Sequence, residues 1–486
     1  MKKLLILAVL GIIVLSLHSP SSTVTAPRQE VRSPAADELG IIHPHTAEFA
    51  DYVIDDFKDW YQTETGNEIT VTTIMKSSSD TLAQVEVWNG TAPDADIMWG
   101  GGQYNFEEAR GAFDYQPHNL LVHYKVAAHD DIVFEIGDWK NVDDSNTTLG
   151  PTWYAAAISG FGIMYNTEVL TAEGLDTPTT WMDLTDGQYQ GHIVMCDPGE
   201  SGSTTATVLM LLQEFCDQTD GTEITGAADT TEAWQFWAKI AGNLGEFVTS
   251  SSKVPQEVNL GTYAIGITID YYAWDYMQDN TNIGFNWGGA STFSPDPVGI
   301  LKGAANMEQA EYFMEYLLST RGQNRVGKYR TPANCKSVGT APVATAYNTD
   351  GTVKTGYPVI EPFSSYWYNR IFSRARKLFS TWFVENHDKA SKAWKEIVDS
   401  DDEEKQADAI EIYTKLPSDF NGTLAGTYAL QYKDADTINN WKSEGAKNFD
   451  DAYDEVKEEE GLIPGFESLF ALVGLIPFVA WRRKKK

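Results

Sequence analysis

Hydroxyl and phenol groups gathered at chain turns are the chemistry this sequence offers. Ser201, Ser203 and Thr204 follow Asp197-Pro198-Gly199-Glu200 and lead into an apolar run at 206–215. The first N–H groups of a helix lack internal partners and carry partial positive charge. Hydroxyls there either cap the helix or help hold an anionic or polyhydroxyl ligand. Asp270-Tyr271-Tyr272 closes an alternating segment, where a strand delivers polar and aromatic groups to a cleft; the tyrosines also suit core or rim packing. Ser77-Ser78-Ser79 and Gly100-Gly101-Gly102 each follow a strand-like stretch. Three consecutive glycines either admit a ligand close to the backbone or form a flexible turn. His43 and His45 flank Pro44, a poor metal spacing that reads as structural or surface.

Other chemistries lack their signatures. There is no Gly-x-Ser-x-Gly elbow, no His-Glu-x-x-His pair, no phosphate loop and no zinc-type Cys/His set. Carboxylates are too numerous to single out a glycosidase pair. The acidic run at 399–404 lacks the glycine and terminal glutamate of a calcium loop and reads as a solvated helix start. With 36 Lys and Arg against 69 Asp and Glu, the net charge of −33 excludes a nucleic-acid partner, which requires a basic footprint. Three cysteines, Cys196, Cys216 and Cys335, are too few for a disulfide framework and are expected as buried free thiols. Asn89, Asn146 and Asn421 head glycosylation sequons.

The elements that must position these groups alternate. Phe49, Val53, Phe57 and Trp60 give 46–61 the period of an amphipathic helix. Strands are predicted over 68–75, 92–99, 152–165, 192–196, 262–270 and 297–302, and helices over 81–88, 166–170, 206–215, 230–240 and from 306 onward. Asn306 and Gln309 suit a capping box. From 364 to 458 the pattern is mostly helical and charged. With 42% hydrophobic residues and 15 Trp among 486, the chain can bury sizeable cores. The fold class is α/β, with a sheet in each of two lobes.

The ends bear on compartment. Residues 1–26 have the basic start and apolar stretch of a signal peptide, and 27–40 is a Pro/Ser/Ala-rich linker. Residues 464–481 form a short apolar span before Arg482-Arg483-Lys484-Lys485-Lys486, which places the body outside the cell, anchored to the membrane. Pro464-Gly465-Phe466 with this tail resembles the archaeal sorting signals that are removed on attachment to lipid. Retention and processing both stay open.

Several phrases, in order, resemble the extracellular solute-binding proteins of ABC importers, the two-lobed type II group with iron(III)-binding-like members. They are Ala92-Pro93-Asp94-Ala95-Asp96-Ile97, Ile163-Met164-Tyr165-Asn166, Pro178-Thr179-Thr180-Trp181-Met182-Asp183-Leu184 and Tyr189-Gln190-Gly191-His192-Ile193. Asp197-Pro198, Gly202-Ser203, Gly261-Thr262-Tyr263 and Leu318-Ser319-Thr320-Arg321-Gly322-Gln323 continue the series. The resemblance implies two lobes joined by hinge strands, 41–152 with 299–460 and its C-terminal helices as the first and 153–298 as the second. It implies a small-molecule solute held in the cleft, cleft closure, delivery to a membrane permease, a monomer, no cofactor and no catalysis. By position it points to Ser78, Ser79, Gly101, Trp153, Tyr154, Ser201, Ser203, Thr204, Asp270, Tyr271 and Tyr272 as ligand contacts. For an iron cargo, Tyr271, Tyr272 and His45 would be the ligands, although the family's carboxylate ligand has no match near Gly101. No Lys or Arg falls in these loops, which counts against a phosphate. An extracellular hydrolase and a structural surface protein are the alternatives from other classes.

Overall fold

The computed structural model describes residues 37–112, 119–131, 135–136, 139–140, 143, 148–215, 230–332, 365–418 and 435–457. The expected signal peptide at 1–26, most of the linker, Cys216, Cys335, Asn146, Asn421 and the tail at 464–481 lie outside these residues. No helix among the described residues is long and apolar enough to cross a membrane.

Strand β1 (Glu38–His43) opens the first lobe, so the expected linker ends before residue 38 rather than at 40. Leu39, Ile41 and Ile42 are buried, which fixes those residues in a core. Helix α1 (Ala47–Thr65) follows, burying Phe49, Val53 and Phe57 at helical spacing and ending at left-handed Gly66. Then come β2 (Thr70–Met75), α2 (Ser78–Trp88), β3 (Ile97–Trp99) and α3 (Gln103–Ala109). Asn89 lies at the exposed, left-handed C-cap of α2. A two-residue ladder joins β4 (Glu135–Ile136) to β5 (Trp139–Lys140).

The hinge is strand β6 (Tyr154–Asn166), thirteen residues of which twelve are fully buried. Its first half pairs antiparallel with β11 (Phe293–Ile300), from Val298 opposite Tyr154 to Phe293 opposite Gly160. Its second half pairs antiparallel with β9 (Ile265–Ile269), from Phe161 opposite Ile269 to Tyr165 opposite Ile265. One continuous sheet results, in the order β2-β1-β3-β11-β6-β9-β7-β8. Strands β7 (Ile193–Cys196) and β8 (Leu244–Val248) run parallel to β9, and β10 (Ile283–Asn286) and β12 (Thr331–Pro332) also pair with β6. Gly160 and Gly162 let β6 thread this crossing. A Cβ at 160 would come within 2.6 Å of Trp287, and one at 162 within 2.3 Å of the Asn286 carbonyl.

Helices cover both halves. In the second lobe these are α4 (Thr167–Glu173), α5 (Gly202–Glu214), α6 (Thr231–Asn243), α7 (Lys253–Leu260) and α8 (Asp270–Met277). In the first, α9 (Met307–Leu318) and α10 (Thr320–Val326) pack beside α1. The expected capping box of α9 does not form. Asn306 instead donates from its backbone N and its Nδ2 to Asp96, which also receives the Gly40 N–H.

The C-terminal helices α11 (Ser365–Phe379), α12 (His387–Val398), α13 (Glu403–Tyr413) and α14 (Ala435–Val456) correct the expected boundaries. Sequence order assigned them to the first lobe, yet they share one core with the second. Phe372, Leu378, Trp382, Trp394, Tyr413 and Trp441 pack in the same cluster as Trp181, Ile193, Trp237 and Ile265. The cause is α6, whose buried Trp234 and Trp237 require an apolar cover; the Trp394 indole also donates to Asn243 at the end of that helix.

Candidate functional site

A cavity of about 280 Å³ lies between the two lobes, beside the hinge strands. Its first-lobe wall is His45, Lys76, Ser77, Ser78 and Gly101; its second-lobe wall is Glu200, Gly202, Ser203, 250–252, Tyr271 and Tyr272. The hinge supplies Ser159, Ser294 and Asp296. Such a volume suits a metabolite smaller than a drug-sized ligand.

Each wall is built by chain turns that bring helix starts forward. Ser77 caps α2 by accepting from the Asp80 N–H at 3.1 Å, so the helix begins one turn earlier than its apolar pattern suggests and Ser78 enters the first turn. Ser201 caps α5 likewise, accepting from the Thr204 N–H at 3.2 Å. Gly202 and Ser203 thus occupy the first turn of α5, where N–H groups have no internal partner and the helix field favours negative charge. The two starts meet: a Cβ on Gly202 would lie 3.0 Å from the Gly101 carbonyl and 3.6 Å from Ser78 Cβ, and the Ser79 hydroxyl donates to the Gly199 carbonyl.

Gly100, Gly101 and Gly102 have φ of +85°, +102° and +86°, a left-handed run that side chains resist. The turn packs Gly100 onto the His45 ring, which a Cβ would approach to 2.5 Å. It also aims the Gly101 N–H at Asp296, 3.0 Å away. Asp296 sits where a register shift breaks the β11–β6 ladder between Asp296 and Pro297, a bulge that turns its side chain toward the cleft.

Burial dominates the electrostatics. The Asp296 carboxyl is pushed up to about 6 by desolvation, against the pull of Arg330. Asp270 is pushed up to about 7 by the same cause, although it accepts from the Gly160 and Tyr271 N–H groups. His45 is driven well below its ordinary value by burial, then by His43 and Arg330; His43 falls to about 4, again by burial. Burial thus disfavours charge on both imidazoles, which pack as rings beside the site, His45 edge-on to Trp99 at 4.4 Å.

The structure brings Ser78, Gly101, Ser203, Tyr271, Tyr272 and His45 to the cavity and places the other expected contacts elsewhere. Trp153 is core, its indole donating to Glu107 at 2.9 Å. Tyr154 points to His129 and the Val126 N–H on the far side of the hinge. Ser201 caps α5 with its hydroxyl, which accepts the Thr204 backbone N–H, and Thr204 does not line the cavity. Asp270 spends its carboxylate on backbone N–H groups of β6 and α8. Ser79 faces a second cavity of about 600 Å³, roofed by α11 and lined by Tyr104, Glu200 and Arg376. Lys76, just before the serine run, lines the cavity and is a cation that the sequence argument against an anion did not count. The serines at 250–252 were also missed; they precede α7 in a turn with no apolar pattern to flag it.

Among the described residues no group of three His, Cys, Asp or Glu side chains is placed to hold a metal. Cys196 is a buried free thiol pushed up to about 12 by burial.

Comparison with known proteins agrees with this architecture. Residues 126–349 match the family model described as bacterial extracellular solute-binding protein. The phosphoglycerate transport regulatory protein PgtC of Salmonella typhimurium is 31% identical over 187 residues, which are 37% of this chain and 44% of that protein. The chain therefore spans less than half the length of that curated relative. Among solved structures, the periplasmic binding protein AfuA of Actinobacillus pleuropneumoniae, bound to exogenous fructose-6-phosphate, superposes with a TM-score of 0.57 at 21% identity. It covers 72% of this chain and 99% of its own. A substrate-binding protein of an ABC transporter from Agrobacterium tumefaciens gives 0.54 at 15% identity, covering 70% and 94%. The fold is the two-lobed type II periplasmic-binding-protein fold.

Proposed function

We propose that this chain is the solute-binding component of an ABC importer, capturing a small anionic, hydroxyl-bearing solute outside the cell. Phosphorylated three-carbon acids and sugar phosphates are the class that suits it best. The observation that carries the reading is the interlobe cavity, where the first turns of α2 and α5 converge with Lys76 on a surface rich in hydroxyls. Helix starts supply oriented N–H groups, Lys76 a full charge, and Ser78, Ser203, Tyr271 and Tyr272 donors for phosphate or hydroxyl oxygens. The names of two similar proteins, one a phosphoglycerate transport regulator and one bound to fructose-6-phosphate, point to the same class.

Binding couples to closure because the two walls belong to different lobes. A solute held by Ser78 and Ser203 together favours the state in which Gly202 meets Gly101, and the population shifts toward it. The closed form is what a permease would recognise. The apolar segment expected at 464–481 would keep the receptor at the outer membrane face, and the reading requires no chemistry on the solute.

Thermal unfolding across a library of phosphorylated acids, sugar phosphates, sugars and amines tests this. A saturable rise in unfolding temperature confined to anionic solutes is expected, because a ligand of the native state stabilises by mass action. Consumption of a solute without such a rise would favour the hydrolase alternative.

A further inference from the structure

Helix α3 carries aromatic residues on opposite faces. Tyr104 and Phe106 are two positions apart, about 200° around the helix axis. Phe106 packs in the first-lobe core with Ile42, Met98 and Trp153. Tyr104 joins the core of the second lobe and the C-terminal helices, although α3 belongs to the first lobe. All seven residues of α3 are buried, so its outer face has a cover, and α11 supplies it. The Tyr104 ring stacks on Phe372 with centroids 4.0 Å apart and planes 10° from parallel. Its hydroxyl shares a 2.7 Å hydrogen bond with the Ser373 hydroxyl. A second link lies nearby. Arg376 Nη1 donates to the Ser79 hydroxyl at 3.4 Å, and Ser79 donates to the Gly199 carbonyl at 3.2 Å, so α11, α2 and the loop before α5 meet at one oxygen. Ser380, one residue beyond α11, donates to Asp197 at 2.8 Å and holds that loop from the second-lobe side. Among the described residues, neither Tyr104 nor any part of α11 lines the solute cavity.

We propose that α11 is an interlobe clasp: docking of Tyr104 against Phe372 and Ser373 stabilises the closed cleft independently of solute, so that part of the free protein is already closed. Helix α11 moves with the second lobe because it shares that lobe's core, Phe379 meeting Trp237 edge to face at 5.3 Å. Helix α3 moves with the first lobe through Phe106. Opening therefore parts the stacked rings, exposes an aromatic face on each side and breaks the bond to Ser373. Clasp and solute contacts form in the same state, so each raises the population in which the other forms. Because the clasp lies outside the cavity, it acts on every solute alike and sets affinity without setting specificity.

Spin labels on the two lips of the cleft test this. Glu48 is exposed beside Thr46 of the first-lobe wall, and Thr249 is exposed beside 250–252 of the second. Glu48→Cys and Thr249→Cys are introduced with Cys216→Ser and Cys335→Ser, and the interlobe distance distribution of the solute-free protein is measured. Tyr104→Ala removes the clasp from the first lobe, and Phe372→Leu removes its stacking from the second with less loss of bulk; thermal unfolding establishes which variants are folded. The expected result is a short-distance population of at least about a tenth in the unsubstituted clasp. Loss of a stack and a hydrogen bond together shrinks it about tenfold in Tyr104→Ala, and loss of the stack shrinks it less in Phe372→Leu. Absence of a short-distance population with the clasp intact, or one that neither folded variant reduces, overturns the proposal. If Tyr104→Ala does not fold, Phe372→Leu decides. A second arm rests on the solute-binding reading: calorimetric affinity for 3-phosphoglycerate should fall by the same factor as the closed population. Unchanged affinity beside a reduced closed population overturns the link between clasp and capture. If no solute binds the wild type, the transport reading falls and the distance arm still decides.

Discussion

Gly202 is the position where closure can be perturbed with little effect on the fold. It lies in the first turn of α5, and among the described residues the non-local contacts within 4 Å of an added Cβ are across the cleft, the Gly101 carbonyl at 3.0 Å and Ser78 Cβ at 3.6 Å. A methyl at that distance forces one lobe back by a few tenths of an ångström, and branched carbons force it further. Overpacking of a tight contact costs about 1–3 kcal/mol, with alanine at the low end and valine at the high end. At about 1.4 kcal/mol per decade, solute affinity falls about fivefold for Gly202→Ala and about a hundredfold for Gly202→Val. Because the clash exists only when the lobes meet, stability without solute does not share the loss. Alanine is the better helix former by up to about 1 kcal/mol, so the unliganded midpoint of Gly202→Ala stays level or rises. Calorimetric titration with the best-binding solute, paired with thermal unfolding of the free protein, separates the two quantities. Wild-type affinity in Gly202→Val would refute the closure argument. Parallel loss of affinity and unliganded stability would show instead that Gly202 serves the fold.

Three further expectations follow from the site. Lys76→Met should weaken an anionic solute about tenfold and flatten the salt dependence of its binding, while a neutral probe is unaffected; equal losses for both would remove Lys76 from anion recognition. Trp153→Phe deletes the indole donor to buried Glu107 and should lower stability by about 1–2 kcal/mol, with solute affinity unchanged within twofold. Asp270 has a native pKa raised to about 7 above its ordinary 3.8, so the native state binds its proton more tightly than the unfolded chain. Its contribution is present at acid pH and is lost as pH rises from about 4 through 7. Asp270→Asn should therefore flatten the fall of the unfolding temperature over that range, and a slope equal to the wild type would contradict the buried-carboxyl argument.

The fold was legible where burial imposes a period. Phe49, Val53 and Phe57 announced α1, and the apolar runs at 206–215 and 262–270 announced α5 and β9. Three-dimensional competition for polar groups was not legible. Ser201 and Ser203 are equivalent in type and two residues apart, yet one is consumed by the Thr204 N–H and the other faces the cavity. Asn306 had the sequence of a cap and went to Asp96, 210 residues away. Lys76 was missed because it ends a strand rather than sitting in the serine run. Arg330 was missed because nothing local marks a cation that crosses to Phe49 and Tyr271. The C-terminal helices were assigned by chain order, while their partner was set by the apolar face of α6.

A crystal structure of the protein grown with 3-phosphoglycerate, or with the strongest anionic hit of the thermal library, would show directly whether the interlobe cavity holds the solute. One solute molecule is expected between the lobes, its anionic group against Lys76 and the first turns of α2 and α5, its hydroxyls within hydrogen-bond distance of Ser203 and the Tyr271–Tyr272 pair. A solute seated in the larger cavity under α11, against Arg376 and Tyr104, with the interlobe cavity filled only by water, would contradict it.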